Sequence, residues 1–283
     1  GTFCDSSNAI IVKGDLLIDG THEYGGTGNG IEMMGSDIQN ISGNGALGMF
    51  TISNPSGTLV ETGNELTITE GLNLNGGLLD VGANLLNLGV DARIIEGTLF
   101  SNTNMIRTNS SFTDNGVRKT FPSTASVGGA YNYTIPIGSG TKYTPIEYKI
   151  SDNGNSIGTI VTKAADEPHP SILEDSETPE IIDVDNVLQY HWVLKSSNVT
   201  GFSADVEMEY DPSDVYFTSP YDITDYITAR LLNDGSGQWN KYTTDDFDES
   251  NNLLHFNFNN VNADGIEGDY TAGIDDAIPD QVP

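Results

Sequence analysis

Residues 64–89 read NELTITEGLNLNGGLLDVGANLLNLG, and few folds accept such a stretch. Apolar pairs recur at Leu66/Ile68, Leu72/Leu74, Leu79/Val81 and Leu86/Leu88, with Asn and Gly between them. Asn and Gly tolerate the left-handed backbone of tight turns at least cost. Each apolar run is too short for a helix and short even for a hairpin strand. Runs and bends at this spacing predict a coil that folds back on itself and stacks on the coil below, a parallel β-solenoid. A short antiparallel meander is the rival reading.

A longer period supports the stack. Phe50-Thr51-Ile52 aligns with Leu72-Asn73-Leu74 and then with Arg93-Ile94-Ile95. Leu59-Val60 aligns with Leu79 to Val81 and with Leu99-Phe100, and Leu66 to Ile68 with Leu86 to Leu88 and Met105-Ile106. A step of about twenty residues is one coil with three short faces, repeated over three or four coils. Asn73, Asn75, Asn84 and Asn87 are placed to stack as amide ladders at the bends. Residues 9–20 supply an earlier pair of short strands. The Gly-rich loop at 21–30 lacks the Lys-Ser/Thr ending and the helix of a phosphate cradle, and reads as an excursion between rungs.

After a polar junction near 108–130 the strands lengthen. Tyr131, Tyr133, Ile135 and Ile137 alternate, as do Ile146, Tyr148 and Ile150, then Tyr190, Trp192 and Leu194. Phe202, Ala204, Val206, Met208 and Tyr210 make one face of a half-buried strand, with Ser203, Asp205, Glu207 and Glu209 opposite. Strands of this length with polar connections predict an antiparallel β-sandwich. The expected fold is therefore all-β: a short parallel β-solenoid over residues 1–120, a β-sandwich over 121–275, and a linker or tail at 276–283. The acidic, proline-marked stretch 164–186 reads as a mobile excursion.

Net charge is −30, from 41 acidic and 11 basic residues. Such a surface repels nucleic acid and anionic membranes, since binding would add repulsion instead of releasing counterions. No apolar run is long enough to cross a bilayer. Cys4 is the only cysteine, so no disulfide framework exists within the chain. The two ends read as cut points in a longer product.

Chemistry is sparse. His22, His169, His191 and His255 have no zinc spacing, and His191 and His255 fall opposite the apolar face of their strands, where an exposed ring is expected. There is no nucleophile elbow. Glu70, Asp80 and Asp91 are expected in turns too far apart to share a catalytic face. Calcium is the better candidate cofactor. Asp245, Asp246 and Asp248 crowd one loop, and Asp183 and Asp185 present alternate oxygens in another, as a hard cation prefers. The competing reading is of solvated loops in an acidic protein. Tyr210, Tyr216, Phe217, Tyr221, Tyr226, Trp239 and Tyr242 suit either sugar stacking or a sandwich core, and the core is favoured.

Three short motifs in order carry a resemblance. Ile135-Pro136-Ile137-Gly138 followed by Tyr143-Thr144-Pro145-Ile146, then His191-Trp192-Val193-Leu194-Lys195-Ser196-Ser197, then Gly268-Asp269-Tyr270-Thr271-Ala272-Gly273 resemble a module of large secreted Bacteroidota surface proteins. The resemblance implies an extracellular or cell-surface location, type IX export, and a non-catalytic structural or adhesive role. It implies partners among cell-surface or extracellular-matrix components, glycans included, with assembly into a homo-oligomer or filament. The alternative is a carbohydrate-binding or polysaccharide-degrading β-helix module.

Overall fold

The computed structural model describes residues 1–60, 64–154, 157–172, 183–233 and 235–280. It is all-β, with a parallel solenoid of about five turns passing into antiparallel sheets.

Each coil has three faces. The first is Thr2–Cys4, Thr21–Glu23, the opening of Ala46–Ile52, the opening of Leu66–Leu74, Leu85–Leu88 and Gly116–Phe121. The second is Ile10–Val12, Ile31–Met33, the ends of the same two long strands, and Arg93–Glu96. The third runs Leu16–Leu17, Gln39–Ser42, Thr58–Val60, Leu79–Gly82, Ile106–Thr108 and Ile137–Ser139. Every pairing within the stack is parallel.

Alternation sends every second side chain inward, and the parallel register piles like on like. Ile31, Phe50 and Leu72 form one column, and Met33, Ile52 and Leu74 another. All six are at most 1 % exposed. Burial of such side chains stabilises by about 2 kcal/mol each, and it is obtained only from the neighbouring coil. The bends need glycine. Gly77 sits at φ +146°, and a Cβ there would stand 2.1 Å from the Asn54 carbonyl oxygen of the coil below.

The stacking of Phe50-Thr51-Ile52 on Leu72-Asn73-Leu74 is as expected. The next coil differs by one residue: Ile94, not Arg93, lies over Leu72. The slip keeps the guanidinium out of the core, because a one-residue shift exchanges the two faces of a strand. Leu99 and Phe100 belong to no rung, and Ile106 stacks on Leu79. Thr21–Glu23 is itself a rung, so the Gly-rich excursion begins only after it. The expected amide ladder pairs amides with hydroxyls instead. Asn75 donates to Ser53 Oγ (3.1 Å), Thr98 donates to Asn75 (3.4 Å), and Asn87 meets Thr67 (3.5 Å).

A domain boundary at 120 would cut Gly116–Phe121, the strand where the architecture changes. One edge pairs parallel with Leu85–Leu88, and the other pairs antiparallel with Gly158–Ala165. From there the same sheet runs on through His191–Ser197, Gly268–Ile274, Tyr226–Leu232 and Trp239–Lys241. A second sheet, Tyr131–Ile135, Ile146–Asn153, Phe202–Glu209, Leu253–Val261 and Phe247–Asp248, covers it. Phe121 packs edge-on against Tyr133 and Tyr148, and Tyr270 against Phe256, between the two layers. Nor is the C-terminal stretch a loose tail as far as residue 280. Ala277 and Ile278 are buried, and the backbone N–H of Trp239 donates to the Asp280 carbonyl. Within the expected excursion, His169 and Ile172 are buried, while 173–182 lies outside the described residues.

Candidate functional site

The acidic loops use their carboxylates to shape turns. Asp246 Oδ2 accepts from the Thr243 N–H and hydroxyl (3.1 and 2.9 Å), capping the short 3-10 turn Thr244–Asp246. Asp248 accepts from the Ser250 and Asn251 N–H groups (2.9 and 3.0 Å) and from the Asn251 amide. These bonds hold its carboxyl below the usual carboxylate range, with the Asn251 side chain the largest cause. Asp245 belongs to the same exposed turn, and Asp185 is half-buried in the turn Asp183–Asn186. The Asp183 side chain lies outside the described residues. Among the described residues, no group of three or more His, Cys, Asp or Glu side chains is placed to hold a metal ion.

The histidines are more enclosed than their strand positions suggest. His191 is 0 % exposed, because Phe112 and His169 pack over its ring. Its Nδ1 meets the Glu167 carbonyl (2.9 Å), while Nε2 is buried without a partner. Burial, reinforced by His169, pushes its pKa down to about 4. His169 contacts Asp269 (2.9 Å), and buried His22 bonds Asp5 (3.1 Å) and the Gly48 N–H. His255 is part-exposed beside Glu207. Glu70 points outward from the strand Leu66–Leu74, and Asp80, also in a strand, pairs with Arg107. Of the clustered aromatics, Tyr210, Tyr226 and Trp239 are core, whereas Tyr216 and Phe217 are exposed.

A concavity lies where the second face stops. The first and third faces each gain a sixth rung, Gly116–Phe121 and Ile137–Ser139, and the second does not. After Phe121 the chain turns through Pro122 into the short helix Thr124–Val127, capped by Ser123 and ended by left-handed Gly128. It then runs as Tyr131–Ile135, which pairs with Ile146–Asn153 instead of with Arg93–Glu96. A cavity of about 690 Å³ remains between those two strands.

Lys119 forms its floor. Its Nζ donates to the carbonyls of Gly89 (2.6 Å), Val90 (3.0 Å) and Ala92 (2.7 Å), and lies 4.9 Å from the Tyr133 ring centroid. Burial pushes its pKa down to about 7, with Asp91 acting the other way. The Tyr133 hydroxyl donates to Ala92 and the Tyr131 hydroxyl to Pro122. Burial raises Tyr131 to about 12. Asp91, Arg93 and Glu96 also line the cavity. Lys119, Tyr131 and Tyr133 are bonded to backbone carbonyls, and among the described lining residues no nucleophile sits beside an oriented base. Its one sequence signal is Lys119 on the inward phase of Val117, Lys119 and Phe121.

A second polar cluster ties the last rung to the sandwich. Lys142 bonds Asp166 and Asp214, the latter at 2.6 Å, and Ser139 of the third face donates to Asp166 (3.0 Å). Burial acts to lower Lys142, but its two carboxylates outweigh it and hold the ammonium above its ordinary value. Burial dominates at Asp214 and pushes that carboxyl up.

Fold and site together define the class: a parallel β-solenoid fused edge-to-edge with an antiparallel sandwich. Comparison with family models, curated proteins and solved structures returned no match. No helix among the described residues is long and apolar enough to cross a membrane.

Proposed function

We propose that this chain is a non-catalytic structural and adhesive module of an extracellular or bacterial-surface protein, in which a stiff solenoid and a sandwich act as one body. The observation that carries the reading is the strand Gly116–Phe121, hydrogen-bonded to the solenoid on one edge and to the sandwich on the other. A spacer that transmits load needs such continuity, because a flexible joint would absorb the motion. The Lys142–Asp166–Asp214 cluster braces the same junction. The acidic surface suits a protein that stays dispersed outside the cell. Secretion by the type IX route and assembly into filaments belong to the same proposal and rest on the motif resemblance.

Pulling a single molecule held between marker domains tests the reading. A rigid module yields in one cooperative event that includes both halves. Stepwise peeling of coils at low force, with the sandwich still folded, would remove the mechanical role.

A further inference from the structure

The second face of the solenoid ends on an uncovered edge. Arg93–Glu96 pairs only with Leu66–Leu74, so its other edge has no strand partner among the described residues. Tyr131–Ile135 is likewise the outer strand of its sheet, pairing only with Ile146–Asn153. Both strands line the 690 Å³ cavity. It therefore occupies the place of a missing sixth rung, between two strand edges that have no strand partner among the described residues. Free edges of this kind are templates for another strand.

The side chains narrow the occupant. Lys119 Nζ and the Tyr131 and Tyr133 hydroxyls are all committed to backbone carbonyls of this chain. What the slot still presents is the two strand edges together with the charged ends of Asp91, Arg93 and Glu96, an array that matches an extended peptide bearing charged side chains. Ile94, half-buried at the top of the column that runs through Phe50 and Leu72, with Phe100 and Val127 beside it, calls for apolar side chains at alternate positions. Arg93 and the buried Lys119 offset Asp91 and Glu96 in the lining, so the preference for cationic residues at the others rests on the chain's net charge of −30. We propose that the slot receives an extended peptide segment of another protein, apolar at alternate positions and Lys- or Arg-bearing between, which completes the sixth rung of this face.

The test is calorimetric titration of the full chain with a blocked peptide of about six residues alternating valine and lysine, roughly 20 Å when extended. Saturable one-to-one binding is expected. N-methylation at alternate amides, tried in both phases, should weaken it at least about tenfold in one of them, because the edge bonds are lost. Val127→Trp, which fills the slot from an exposed helix position, should do the same with the melting temperature unchanged. Glu96→Lys should weaken the lysine peptide. No binding, equal binding of both methylated peptides, undiminished binding to Val127→Trp, or binding of a β-linked glucan oligomer in place of the peptide would each overturn the proposal. None of these results bears on the load-bearing role, which the pulling experiment tests separately.

Discussion

Lys119 stacks directly over Leu88 in the first-face column of inward side chains, where Leu47, Ile68 and Leu88 precede it. A buried amine takes the position of a leucine because the coil below offers it three carbonyl oxygens. The turn at residues 89–92 has no sixth second-face rung above it; Gly89 O also accepts from the Ala92 N–H and Ala92 O from the Tyr133 hydroxyl, so Lys119 adds a second donor to those two and bonds the Val90 carbonyl besides.

Lys119→Met therefore destabilises the protein by about 2 kcal/mol, since it removes three hydrogen bonds at once and leaves the Val90 carbonyl unmet. The pH dependence carries a second signature. The folded pKa is near 7 and the ordinary value is 10.5, so the unfolded chain holds more protons between them. Wild-type stability gains a contribution that rises with pH across that window. Denaturation midpoints at several pH values should show the rise flattened in the variant.

His191 produces the same sign lower on the scale. Its folded pKa of about 4 lies below the ordinary 6.5, so its stabilising contribution is present above 6.5 and is lost as pH falls toward 4. The full loss is on the order of 3 kcal/mol. His169 and Asp269 share the site, so the informative comparison is with His191→Phe, whose acid transition should begin at lower pH.

Lys142→Met leaves Asp214 buried with no cation. A loss of about 3 kcal/mol is expected, and Asp214→Asn in the same molecule should recover part of it. A chemical-denaturation cycle over the four proteins measures the coupling.

One oxygen of Asp246 and both of Asp248 are already bonded within their turns. Stripping divalent cations with a chelator should leave the melting curve in place. A marked fall would restore calcium to the account.

The solenoid was legible because parallel stacking imposes its own periodicity: Phe50 and Leu72 align in the chain as they do in space. The fifth coil was not, because the insertion at 97–105 breaks the period and register there is set by keeping Arg93 outside. The junction was hidden for a different reason. Gly116–Phe121 has two partners of opposite direction, Leu85–Leu88 and Gly158–Ala165, and nothing local marks a strand for both roles. The exposed ring expected at His191 failed because alternation describes one sheet, and segments such as Phe112 and His169 cover its second face. The slot depends on a rung that is missing, which no run of residues announces.

One backbone substitution tests the stacking itself. Gly77→Ala places a methyl against the Asn54 carbonyl at a left-handed φ, and should cost about 2 kcal/mol or more. Gly129→Ala, where a Cβ meets open space at φ +142°, separates the conformational cost from the clash and should cost less.

Native-state hydrogen exchange reaches the central claim most directly. If solenoid and sandwich are one body joined through Gly116–Phe121, the slowest amides of Leu85–Leu88, Gly116–Phe121 and Gly158–Ala165 exchange with a common opening free energy and respond alike to denaturant. Two separate energies, with Gly116–Phe121 following only one of its neighbours, would contradict it.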